Sequence, residues 1–147
     1  MRIFIAAVGL IAIGVVAGKF IVQPVVRAQD GCTNASFKGA YGFALNGFYY
    51  DQFGNQAVYA ANGRTVADGA GALAGTETVS FDGAIQRNLT LAGTYTVNAD
   101  CTGTWNFTDS KGAAVGNFDV VMTSGGKQVQ LVEYDRGVII SGTATQQ

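Results

Sequence analysis

Ile85-Gln86-Arg87-Asn88-Leu89-Thr90-Leu91-Ala92-Gly93-Thr94-Tyr95-Thr96-Val97 is the stretch that decides the fold class. On an extended chain Ile85, Leu89, Leu91, Tyr95 and Val97 point to one side, and Gln86, Asn88, Thr90, Thr94 and Thr96 to the other. A period of two with an apolar and a polar face is the mark of a half-buried antiparallel strand. No helical stripe of spacing three and four competes with it.

The same alternation recurs on both sides of this stretch. Trp105 and Phe107 oppose Thr104, Asn106 and Thr108, and Phe118, Val120 and Met122 oppose Asn117, Asp119 and Thr123. Short alternating runs broken by Gly, Asp or Asn predict strands at 36–46, 56–67, 70–81, 85–97, 101–108, 115–123, 127–135 and 138–145. Asp82-Gly83, Gly125-Gly126 and Asp135-Arg136-Gly137 supply residues that tolerate positive φ, as tight hairpin turns require. Eight strands joined by such turns predict an all-β fold, an eight-stranded antiparallel up-and-down barrel. A β-sandwich is the alternative. Closure is attractive because it leaves no unpaired edge. An outer-membrane barrel would carry the alternation inside out, and the chain lacks evident aromatic girdles.

Ahead of the strands, Arg2 precedes an apolar run from Ile3 to Ala17, and Val26-Arg27-Ala28 offers a small-residue cleavage site. Residues 1–28 therefore read as a signal peptide in helical form, with 29–147 as the barrel domain. Lys19 interrupts the apolar stretch, which argues against the alternative of an uncleaved inner-membrane anchor. Removing Arg2, Lys19 and Arg27 leaves six basic groups of the nine against ten acidic ones, a net charge of −4. A mildly acidic chain without a basic patch speaks against nucleic acid as partner, and against docking on anionic lipid. Membrane insertion of the mature domain is not expected. The predicted destination is the periplasm or the medium.

Two cysteines fit that oxidising compartment. A Cys32–Cys101 disulfide would close a loop of roughly 70 residues, worth about 4 kcal/mol in the chain-entropy view, and would tie the N-terminal tail to the body. Without any histidine, two thiols make no convincing zinc site, and no metal or other cofactor is expected. The same absence excludes Ser-His-Asp and Cys-His chemistry.

Ionisable residues on apolar faces single out a candidate site. Glu77 shares a face with Leu73, Val79 and Phe81, Arg87 with Ile85 and Leu89, and Glu133 with Val129 and Leu131. If Phe81 faces Ile85 across the turn, Arg87 stands diagonal to Glu77, within reach of a long side chain. A turn at Gly125-Gly126 pairs Met122 with Val129, Val120 with Leu131 and Phe118 with Glu133. Burial would raise a carboxylate's pKa and suit Glu77, Glu133 and Arg87 to catalysis. The structural alternative is that Glu77 and Arg87 neutralise each other, that Glu133 lies at a wet barrel mouth, or that a one-residue bulge turns one of them outward. Tyr41, Tyr95, Trp105 and Phe118 are the expected walls of a ligand chamber. Phe48, Tyr49, Tyr50 and Phe53 form a hydrophobic lip, or cap the barrel end.

At Cys32, Phe37-Lys38-Gly39-Ala40-Tyr41-Gly42-Phe43, Gly93-Thr94-Tyr95-Thr96-Val97 and Asp100-Cys101-Thr102-Gly103-Thr104 the chain resembles small exported bacterial proteins of unsettled function. The eight-strand meander is also similar, at the level of fold, to allene oxide cyclase and dirigent-type barrels. That resemblance implies an apolar substrate held in the barrel, and places no catalytic motif on a residue of this chain. Three functions follow as expectations. The first is a barrel binding a small apolar ligand in its interior. The second is a cyclase or isomerase with Glu77 or Glu133 moving a proton. The third is a structural or interaction protein of the cell envelope with a filled barrel.

Overall fold

The computed structural model describes residues 31–147, so the expected signal segment at 1–28 lies outside the described residues. Eight strands run in order: β1 (Lys38–Tyr50), β2 (Gln56–Asp68), β3 (Ala72–Phe81), β4 (Ala84–Val97), β5 (Thr102–Thr108), β6 (Ala114–Thr123), β7 (Gln128–Glu133) and β8 (Val138–Gln146). Each pairs antiparallel with the next, and β8 closes on β1, so the sheet is a closed barrel rather than a sandwich. Every strand thereby has a neighbour on both sides, although the tip of β4 from Ala84 to Leu91 extends past its pairing with β5, and closure removes most of the row of unpaired N–H and C=O groups that invites aggregation.

The alternation settles the faces. Leu73, Leu91, Tyr95, Trp105, Phe107, Phe118, Val120, Met122 and Leu131 point inward and are buried. Arg64, Arg87, Asp119, Gln128 and Gln130 are exposed on the outer wall, the reverse of a lipid-facing barrel. Among the described residues no helix is long and apolar enough to cross a membrane.

One hairpin departs from the expected register. Asp82 (φ 47°) and Gly83 (φ 85°) form the tight turn, but Phe81 pairs with Ala84 and Ser80 with Ile85. Further along, Glu77 pairs with Leu89 and Val79 with Gln86, so Arg87 and Asn88 together oppose Thr78. This is a β-bulge, with Asn88 at φ 56°. The extra residue flips the tip of β4. Ile85 and Arg87, expected inside, lie outside, while Leu89, Leu91, Tyr95 and Val97 keep the inward face.

The two ends of the barrel differ. At one end Cys32 and Cys101 are disulfide-bonded, with their Cα atoms 5.0 Å apart. A single 3-10 turn at Asn34–Ser36 then carries Phe37 into the barrel, where it is fully buried. Its ring lies 4.2 Å from that of Tyr41, 5.1 Å from Tyr95 and 4.7 Å from Trp105, centroid to centroid. The buried hydroxyls are served by backbone: Tyr41 donates to the Gly126 carbonyl at 2.8 Å, and Tyr95 to the Phe37 carbonyl at 2.8 Å. Asn34 staples the segment down by accepting from Val97 N–H and donating to the Ala70 carbonyl. Gly126 (φ +86°) completes the fit, because a Cβ there would stand 2.1 Å from the Ser36 carbonyl oxygen. This end is closed by the chain itself.

Candidate site at the open end

The other end is made by the hairpin tips at 51–55, 82–83, 109–113 and 134–137. Beneath them is a cavity of about 20 Å³. Phe43, Leu45, Leu91, Phe107 and Phe118 form its apolar wall, Tyr59 and Val115 its upper side, and Glu77 and Glu133 reach it from opposite strands. Gly116, whose Cβ would press to 2.7 Å on the Phe118 ring, leaves Glu133 its place. A void of this size admits one water-sized group.

Glu133 ends β7 and is only 6 % exposed. Burial first, and then the neighbouring Asp135 carboxyl, push its pKa up to about 7. Asp135 is itself held by Asn117, which donates its backbone N–H at 3.0 Å and its side-chain amide at 2.9 Å. Donors thus collect on Asp135, whose carboxyl also shares a side-chain hydrogen bond with Glu133 that favours the protonated form, and among the described residues nothing around Glu133 favours its charge. Glu77 is half-buried, and burial alone raises its pKa. Tyr49 packs against Tyr59 at 5.5 Å and Phe81 at 5.4 Å. Burial pushes the Tyr49 hydroxyl up to about 12 and raises Tyr59 further, so both stay neutral. Two carboxyls therefore face one small apolar cavity, and no cation is among the described residues that line it.

Only part of the expected site is brought together. Glu77, Glu133 and Phe118 meet at the open end. Arg87 stands on the outer wall, beside Ile85, Ser80 and Thr78, so it neither neutralises Glu77 nor holds an anion in the interior. The physical reason is the bulge at Arg87–Asn88. Tyr41, Tyr95 and Trp105 surround Phe37 at the closed end and fill space where a ligand chamber was expected. Sequence reasoning missed Phe43, Tyr59, Phe107, Asp135 and Asn117 as parts of the mouth. Parity would have flagged Phe43 and Tyr59 as inward, but nothing in the sequence announces the Asn117–Asp135 contact.

Exposed apolar side chains gather round this end. Phe53 is 79 % exposed at the first hairpin tip, Phe81 and Ile85 flank the second, Val115 the third and Tyr134 the fourth. On the outer wall nearby, Phe48 pairs directly with both Val58 and Ile139, and all three are exposed. The aromatic run at 48–53 therefore splits: Tyr49 turns in to line the mouth, and Phe48, Tyr50 and Phe53 face out. No protein-family model, curated protein or solved structure matches the chain.

Proposed function

We propose that this is an exported binding barrel, periplasmic or secreted, that takes a small amphipathic molecule at its open end. The ligand's apolar body rests on the collar of exposed side chains, and its head group enters the mouth at Glu77 and Glu133. One observation carries the reading: apolar exposure is concentrated at the end where an interior cavity meets the hairpin tips. Grouped exposed apolar surface marks interaction sites, whereas scattered single residues do not. The disulfide is in keeping with an oxidising compartment. A proton-transfer role draws less support, since Arg87 is outside the mouth.

Native mass spectrometry of the protein purified from its own envelope, with organic extraction of what it carries, tests the proposal. A reproducible small molecule at one per chain is the expected result. An empty barrel would favour a second reading, a structural protein working through its outer face, to which the Phe37 plug and the small cavity also point.

A further inference from the structure

We infer that the head group received at the open end is a primary ammonium, so that the ligand is an amphipathic amine. The inference rests on the binding reading above and specifies the class of molecule. Its grounds are geometric. Glu133 is more than nine-tenths buried and faces the cavity, and the donors nearby are spent on Asp135. Glu77 faces the same cavity from β3. Among the described residues no N–H or cation serves Glu133, whose side-chain partner is the Asp135 carboxyl, so ionising it is costly, and a ligand cation between Glu133 and Glu77 relieves that cost. Size narrows the choice. About 20 Å³ accepts a group as small as water, and an ammonium is of that size, whereas a trimethylammonium is several times larger. Phe43, Tyr59, Phe107 and Phe118 line the same cavity with aromatic rings, a lining that suits a cation better than an anion. The hairpin tips add Asp51, Asp82, Asp109 and Asp135 against Lys111 and Arg136, a balance that also favours a positive ligand.

The test is calorimetric titration of the full-length, disulfide-bonded protein with decylamine, decyltrimethylammonium and decanol below their aggregation limits. Decylamine is expected to bind at least about tenfold more tightly than either of the others. Its affinity should rise about tenfold from pH 6 to pH 8, as Glu133 ionises in the company of Glu77, Asp135, Tyr49 and Tyr59. Glu133→Gln should abolish the preference for decylamine over decanol, and an unchanged emission from Trp105, buried at the closed end, shows that the variant is folded. Glu77→Gln serves the same purpose if that variant fails to fold. Equal binding of decanol and decylamine overturns the ammonium inference and leaves the binding reading standing. Binding of none of the three overturns both. Vesicles of phosphatidylethanolamine and of phosphatidylcholine separate the sources of the head group. Retention on the first alone places the ammonium on a lipid, and retention on neither, with decylamine bound, places it on a free amine. Equal retention on both overturns head-group selection.

Discussion

Glu133 holds a proton that an unfolded chain would give up. Its pKa stands near 7 in the fold, against 4.5 for a free glutamate. Between about pH 4.5 and 7 the folded state thus binds more protons than the unfolded state, and stability falls as pH rises through that window. The shift corresponds to at most about 3 kcal/mol, and solvent at the mouth brings it nearer 2 kcal/mol. Urea titrations at pH 5 and pH 8 should differ by that amount, the protein being weaker at pH 8. Glu133→Gln should remove most of the slope and leave the smaller part due to Glu77, which burial also raises. A wild type equally stable at both pH values would mean that the Glu133 charge is already in water. The opposite sign governs the acid side. Asp51, Asp68, Asp100 and Asp109 accept hydrogen bonds that hold them below their ordinary 3.8, so what they contribute is lost as pH falls beneath that value. Maximal stability is therefore expected near pH 4–5, below the usual range for globular proteins.

Two hairpins of the same barrel show what a strand pattern can and cannot reveal. For β6 and β7, matching apolar to apolar across Gly125-Gly126 predicts Phe118 opposite Glu133 and Val120 opposite Leu131, and those pairs are present. For β3 and β4, the pattern from Leu89 to Val97 is right, but continuing it past Asn88 puts Ile85 and Arg87 on the wrong face. A bulge costs one residue of register and reverses every side chain beyond it, while changing nothing in the local composition. Its one local sign is Asn88, a residue type that tolerates the left-handed region and there adopts φ 56°. Asn88→Gly should be thermally neutral to within about 0.5 kcal/mol, since glycine accepts that conformation. Asn88→Val, which cannot adopt it without strain, should destabilise by about 1–2 kcal/mol. If both variants melt alike, the bulge is not held at Asn88, and the outward position of Arg87 needs another cause.

Across the whole molecule, the barrel is a meander that closes on itself, plus a short N-terminal segment that seals one end. Closure was legible because eight alternating runs with hairpin turns have few other ways to hide their edges. The seal was legible only in part. Cys32 and Cys101 announced that the tail is tied down, but nothing in the spacing told that Phe37 would enter the barrel and turn Tyr41, Tyr95 and Trp105 from walls of a chamber into its filling. The chain's only tryptophan reports on this arrangement, because Trp105 is fully buried 4.7 Å from the Phe37 ring. Replacing both cysteines by serine releases a closure spanning 69 residues and should cost about 4 kcal/mol. Phe37→Ala with the disulfide intact should cost about 3–5 kcal/mol and shift Trp105 emission to the red as water reaches the ring. Combining the two separates their effects. If the disulfide acts on the unfolded chain alone, the costs add and the cysteine variant keeps the blue emission of the wild type. If the bond is what holds the plug in place, the cysteine variant already shows the red shift, and adding Phe37→Ala costs it less than it costs the parent. The dense contacts of Phe37, Asn34 and Gly126 at the sealed end favour the first outcome, a plug that stays seated by packing once the chain has folded round it.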